Sequence, residues 1–278
     1  MAYRPPVLAG SFYPADPKVL AASVSAWLQS GAKAAAEAGR EPVAAPVALL
    51  PHAGHLYCGR IIGETLARAR SVERMVILCP NHSGRGAPLA IWAKGAWGTP
   101  LGRVPVDEEL AQALLEQDAG YEADEQAHAR EHSIEVLLPF VQYHSPAASI
   151  VPVVVSAGPD CLMRAGYGLA AALRQMSDAG KPAMVIISSD LLHFSDEAST
   201  LRLDERALAQ LLALDPAALY NTVTRERISM CGVQPAALVL FAGKKLGISR
   251  AELVAHTTSA EASGDAGRVV GYAGVIMN

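Results

Sequence analysis

Three runs of consecutive apolar residues dominate the pattern along the chain: Val47-Ala48-Leu49-Leu50, Met75-Val76-Ile77-Leu78 and Met184-Val185-Ile186-Ile187. None alternates apolar with polar, so each predicts a short strand buried on both faces. Each run stops on punctuation and then presents a histidine: Pro51-His52-Ala53-Gly54, Pro80-Asn81-His82, and Ser188-Ser189-Asp190-Leu191-Leu192-His193. The carboxyl ends of such strands are where open α/β sheets place their ligands. Packing alone gives no reason for the same grammar three times.

Helical periodicity fills the intervals. Asp16 before Pro17 predicts a capped helix to about residue 29, with Val19, Leu20, Val24, Trp27 and Leu28 as its apolar stripe. Residues 30–45, rich in Ala, Gly and charge, predict an exposed connection that tolerates deletion. Further helices are expected at 59–70, 107–117, 160–177, 200–214, 216–223 and 234–246. Within 127–145, the run Glu131 to Phe140 predicts an amphipathic helix, broken or kinked at Pro139. Additional strands are expected at 88–94 and 149–156, and the stretches 253–258 and 269–276, separated by a polar turn, predict an antiparallel edge pair. The sum is an α/β protein: one domain over residues 1–278, with a central mixed, mostly parallel sheet flanked by helices.

Composition narrows the class. Hydrophobic residues make up 51% of the 278 against 18% charged, which supplies a large aliphatic core and excludes global disorder. Lys and Arg number 23 against 27 Asp and Glu, with no basic cluster, so no nucleic-acid partner is expected. No apolar stretch approaches the roughly 18 residues of a membrane helix, and Met1-Ala2-Tyr3-Arg4-Pro5-Pro6 lacks a signal peptide's charged head and apolar middle. A soluble, cytoplasmic protein with no membrane partner is expected. Cys58, Cys79, Cys161 and Cys231 are scattered without CxxC spacing, which predicts free thiols.

Imidazole is the commonest protein ligand for transition metals, and two on adjacent strand ends can share an ion. His52 and His82 are therefore candidate metal ligands. Cys231, in Ser229-Met230-Cys231-Gly232, is the preferred third, because a thiolate adds charge and selects a softer ion such as Fe(II), Cu(I) or Zn(II). Taken singly, each histidine reads more readily as a strand cap or structural residue, and Cys231 as a small buried hydrophobe; repetition of the strand-then-histidine pattern is what favours a site. Asp190 and His193 would share a face on a helical first turn, the carboxylate orienting the imidazole for proton transfer; alternatively Asp190 caps that helix. Glu131 and Glu135, four apart on the expected helix, are with His132 candidates for a pocket or its supporting shell, or simply partners of the helix dipole. His128, His144 and His256 carry no such context and read as surface or satisfied core residues.

Taken together, Ala9-Gly10-Ser11-Phe12-Tyr13-Pro14, Pro51-His52-Ala53-Gly54, Tyr57-Cys58-Gly59, Pro80-Asn81-His82, Glu131-His132-Ser133-Ile134-Glu135, Ser188-Ser189-Asp190-Leu191-Leu192-His193 and Cys231-Gly232 resemble, in this order, the Memo family (mediator of ErbB2-driven cell motility). Its prokaryotic branch is called AmmeMemoRadiSam system protein B. The resemblance spans nearly the whole chain. It implies a fold similar to class III extradiol dioxygenases and a redox-active iron or copper pocket of His52, His82 and Cys231, with Asp190 and His193 beside it. It also implies AMMECR1-like and radical-SAM proteins as partners. The dioxygenases complete their Fe(II) site with a carboxylate, so a cysteine in third place argues against ring cleavage. His55 stands where relatives often carry an aromatic residue and is expected to add a ligand or alter the pocket rim. Three functions compete: a metal-dependent redox protein, a catalytically idle module that binds a small molecule or peptide, and a cysteine hydrolase with Cys231 as nucleophile and His52 or His193 as its base.

Overall fold

The computed structural model describes residues 2–44 and 46–278; Met1 and Ala45 lie outside it. After the short strand β1 (Tyr3–Arg4) comes helix α1 (Pro17–Glu37). Asp16 starts it by accepting hydrogen bonds from the Lys18 and Val19 N–H groups, and the fixed φ of Pro17 suits the first turn. The helix takes up the first half of the expected connection, as far as Glu37. Gly31 and Ala35 extend the buried stripe of Leu20 and Val24, and a Cβ on Gly31 would lie 2.7 Å from the Glu64 backbone. The small residues that read as a linker are what lets α1 press against the next helix.

The chain continues through β2 (Val47–Leu50), α2 (His55–Ala67), β3 (Arg74–Pro80), β4 (Leu89–Ile91), β5 (Ala96–Thr99), β6 (Gly102–Pro105), α3 (Glu108–Leu115) and β7 (Glu122–Ala123). Next come α4 (Leu138–His144), β8 (Ser149–Val155), α5 (Pro159–Asp178), β9 (Met184–Ser188) and β10 (His193–Ser195). Then α6 (Glu197–Leu212), α7 (Pro216–Arg225), α8 (Val233–Leu246), β11 (Ala251–Thr258), the short α9 (Ala260–Ser263) and β12 (Val269–Met277) complete it. The expected helix over residues 131–140 does not form as one: turns lead into a single tight turn at Glu135–Leu137 and then α4, where Pro139 lies in the first turn, so it starts a helix instead of kinking one.

The main sheet is mixed, as expected, with a parallel centre. β2, β9, β3 and β8 lie side by side in parallel at its centre, and β12 and β4 run against them on either flank. β1, β5 and β6 form a separate small sheet that the hydrophobic pattern does not announce. Register sorts the apolar runs by parity. Val47, Leu49, Val76, Leu78, Val185 and Ile187 share a core with α3, α5 and α8, whereas Ala48, Leu50, Met75, Ile77, Met184 and Ile186 share one with α1, α2 and α4. Both faces are covered, which is why these strands tolerate no polar alternation.

β11 and β12 pair antiparallel as expected, but β12 is not an edge strand. On its other side it pairs with β2 over Val275–Met277 and with β10 at Val269 and Val270. The chain leaving β9 therefore steps across the end of β2 to reach β12. Leu191 N–H donates to the Gly271 carbonyl there, and Gly271 N–H donates to the Leu192 carbonyl. This crossing carries Asp190 over the strand end that bears His52. No helix among the described residues is long and apolar enough to cross a membrane.

Candidate metal centre

His52, His82 and Asp190 each lie two residues beyond the last residue of β2, β3 and β9 respectively. His132 approaches the same edge from the turns ahead of α4. Ring nitrogens of His52, His82 and His132 fall within 4.8 Å of one another, close enough to hold one metal ion. The ring centroids are 4.7 to 5.4 Å apart. The two strand-end histidines thus converge, and the third imidazole is His132, which the sequence pattern offers only as a pocket or supporting residue.

Cys231, from the turn before α8, stands with Sγ 3.2 Å from Nε2 of His52 and accepts a hydrogen bond from the Asp190 N–H at 3.3 Å. Gly232 permits this approach: its N–H donates to Ser189 Oγ at 3.0 Å, and a Cβ there would collide with the Ser189 side chain. The expected sulfur ligand therefore touches His52, while the three-histidine grouping closes without it.

Glu131 is the anchor of the cluster. One carboxylate oxygen lies 3.0 Å from His82 Nδ1 and also accepts from the His132 and Ser133 N–H groups and the Ser133 hydroxyl; the other accepts the His82 N–H at 2.7 Å. Burial opposes its ionisation, but these donors outweigh burial and hold Glu131 far below the usual carboxylate range. Burial likewise opposes protonation of His82, yet the Glu131 hydrogen bond and charge raise its pKa. Burial, then the nearby His132 and His82, keep His52 well below its ordinary value; burial also lowers His132. A carboxylate behind Nδ1 leaves Nε2 of His82 available to an ion, the arrangement common around metal-binding histidines.

Several expected roles are corrected. Asp190 and His193 are not on a helical turn: Asp190 lies on the crossing that follows β9, and His193 is the first residue of β10. The Asp190 carboxylate accepts the His52 N–H at 2.7 Å and does not orient His193, which is held by Ser229: His193 N–H donates to Ser229 Oγ at 2.8 Å and Nδ1 donates to the Ser229 carbonyl at 2.9 Å. Burial pushes Asp190 above the usual carboxylate range, against the pull of the His52 N–H. Glu131 and Glu135 do not share a helix face. Glu135 is buried with Arg4 at 2.6 Å and accepts from Val7 N–H, Leu8 N–H and the Tyr13 hydroxyl, so it fastens the N-terminal segment instead of lining a pocket. His55 neither ligates nor forms a rim: its Nε2–H donates to the Val136 carbonyl at 2.7 Å and its ring packs among Tyr13, Trp27 and Phe140. His128 donates to the Ala90 carbonyl but leaves its buried Nδ1 without a partner, and His256 pairs with buried Asp204; neither joins the cluster.

Two serines escape the sequence reading. Ser133 braces Glu131, and Ser188 Oγ lies 2.8 Å from His52 Nδ1 while donating to the Ser133 carbonyl at 2.6 Å. Strand parity could have found Ser188, because it follows Met184 and Ile186 on one face of β9 and is in register with Leu50 of β2, two residues before His52. The cluster reaches solvent through His82, whose side chain is 37% exposed. Roomier clefts of about 420 Å³ lie elsewhere, one beside Ile91, Ala93 and Glu108, another between α6 and α7.

Fold and cluster together define an α/β protein with a histidine cluster, able to hold a metal ion, at the carboxyl edge of the parallel centre of its sheet. The family described as Memo-like protein matches residues 4–276, and this chain belongs to it. It is 37% identical to a MEMO1 family protein of Methanopyrus kandleri, over 99% of this chain and 98% of the relative. A MEMO1 family protein of Thermotoga neapolitana is 36% identical over 99% of each chain, and one of Pyrobaculum aerophilum is 37% identical over 100% of this chain and 99% of its own.

Proposed function

We propose that the chain holds one iron or copper ion through His52, His82 and Cys231, with His132 as a fourth donor, and applies it to redox chemistry on a small-molecule or peptide ligand in the cytoplasm. The observation that carries this reading is the mutual approach of three imidazoles within 4.8 Å, with a sulfur against one of them. Imidazoles plus a thiolate are a softer set than two histidines and a carboxylate, and suit Fe(II), Cu(I) or Zn(II). When bound, such an ion supplies Lewis acidity and, for iron or copper, electron transfer. The chain's own groups do the rest: Glu131 aims His82, and Asp190 holds the His52 backbone. His193, with Nδ1 committed to Ser229, keeps Nε2 free to take or give a proton.

Elemental analysis of protein purified without chelator tests this: close to one equivalent of iron or copper is expected. Protein that stays empty after anaerobic addition of Fe(II) and of Cu(I) overturns it, and zinc alone removes the redox part. AMMECR1-like and radical-SAM proteins are the partners proposed, to be sought by co-purification from cells that produce all three.

The Cys231–His52 contact also favours a second reading, a cysteine nucleophile with its base. Burial and the Asp190 charge push the Cys231 thiol up while burial depresses His52, so the proton stays on sulfur. A nucleophilic pair needs the opposite bias. Activity lost to iodoacetamide but untouched by chelators would revive the hydrolase.

A further inference from the structure

We propose that the Ser188 hydroxyl is the positioning group that sets the tautomer of His52, and so decides which ring nitrogen offers its lone pair to the cluster. A chain of hydrogen bonds joins two backbone groups whose roles cannot change. At one end the Ser133 carbonyl can only accept, and Ser188 Oγ lies 2.6 Å from it. A hydroxyl has one proton, so Ser188 spends its proton there and can only accept from His52 Nδ1 at 2.8 Å. Nδ1 therefore carries the hydrogen and Nε2 the lone pair. At the other end the Asp190 N–H can only donate, and it donates to Cys231 Sγ at 3.3 Å, leaving the thiol proton for Nε2 of His52 at 3.2 Å. The Cys231 end is compatible with this direction, and the Ser133 end enforces it.

The opposite tautomer is available without Ser188, which is why the serine decides. His52 Nε2–H would donate to Sγ, and the thiol would turn to the Asp190 carbonyl, 3.6 Å away. Nothing near Cys231 forbids that exchange; it fails only because Nδ1 and the Ser188 hydroxyl would then face each other with no proton between them. Ser133 ties the two halves of the cluster together. Its carbonyl fixes Ser188 and hence His52, and its hydroxyl donates to Glu131 at 2.7 Å, the carboxylate behind His82.

The metal-site reading is needed only for the consequence, so two readouts separate the claims. Long-range ¹⁵N–¹H NMR of metal-free, ¹⁵N-histidine-labelled protein at pH 8, with His52 assigned from its absence in His52→Gln, reports the tautomer directly. The expected result is Nδ1–H for His52 in the wild type, a shift toward Nε2–H in Ser188→Ala, and return to Nδ1–H in Ser188→Thr, which keeps the hydroxyl. Zn(II) affinity, measured by competition with a chromophoric chelator, should fall about 10- to 100-fold in Ser188→Ala and recover in Ser188→Thr. A wild-type His52 that carries its proton on Nε2 overturns the proposal without any variant, as does an unchanged tautomer in Ser188→Ala. A wild type with the expected tautomer and no affinity for Zn(II), Fe(II) or Cu(I) leaves the role of Ser188 standing and removes the metal reading instead.

Discussion

His52 and His55 are three residues apart and both buried, yet they belong to different parts of the molecule's chemistry. His52 lies just past a strand; Ser188 holds its Nδ1, its Nε2 meets the Cys231 sulfur, and its ring converges with two more imidazoles. His55 begins α2, gives its Nε2 proton to a carbonyl, and leaves Nδ1 without a partner amid aromatic rings. The turn of Ala53 and Gly54 sends the two side chains to opposite fates. Burial does not distinguish a site histidine from a packed one; convergence with other potential ligand atoms does.

The sharpest way to break this comparison is to delete each ring in turn. His52→Ala should weaken Fe(II) or Zn(II) binding by more than about 100-fold, because it removes a donor outright. Its thermal stability without metal should move much less. His55→Ala should do the reverse: affinity within about threefold of wild type, and a stability loss of roughly 3 kcal/mol from the emptied space between Tyr13, Trp27 and Phe140. Chelator competition and urea unfolding of the same two variants decide it. Equal metal affinities would dissolve the distinction.

A smaller effect should follow from the support behind His82. Glu131→Gln keeps one acceptor oxygen but removes the charge, so a metal-affinity loss of about 10- to 100-fold is expected, short of that for His52→Ala. The companion change Glu135→Gln should leave affinity unchanged and cost stability, since it leaves the buried Arg4 guanidinium without its anion. Matching affinity losses in both variants would show that Glu131 acts only by holding the turn.

The same contrast explains how much was legible in the chain. His52 and His82 could be read because each follows an uninterrupted apolar strand closed by proline, a local signal that needs no partner. Glu135 could not, because its role depends on Arg4, 131 residues earlier, and a helical spacing of four said nothing about which residues would surround it. His193 and Asp190 were placed at the right edge but on the wrong element, since the crossing to β12 is fixed by pairing with Gly271, a contact made across the sheet. The stretch after residue 30 misled for a different reason: small residues lower the apolar signal of a helix where helices pack most closely, as Gly31 does against Glu64. Ser188 lay within reach of strand parity, yet a serine at a strand end carries no chemistry until the residue opposite it is known.

The smallest expected effect comes from pH, and it tests whether His55 is the packed histidine the comparison makes it. Burial depresses His55 to about 4, against the opposing hydrogen bond to the Val136 carbonyl. The unfolded chain takes up this proton near pH 6.5, while the folded protein resists until about 4, so the unfolded state gains protons first as pH falls. Stability is therefore fully present above 6.5 and declines between 6.5 and 4, by about 2 kcal/mol at pH 5 from this group. His128, also depressed to about 4 by burial, acts in the same window, and subtracting a His55 variant isolates one contribution. His55→Phe supplies that variant: the ring still packs, but the Val136 carbonyl loses its donor, which costs about 1 kcal/mol at pH 7.5. Because phenylalanine takes up no proton, the order should invert near pH 5, with His55→Phe more stable than wild type by about 1 kcal/mol in urea unfolding. A stability difference that stays constant from pH 7.5 to 5 would mean that His55 is already solvated, and the division between the two neighbouring histidines would fall.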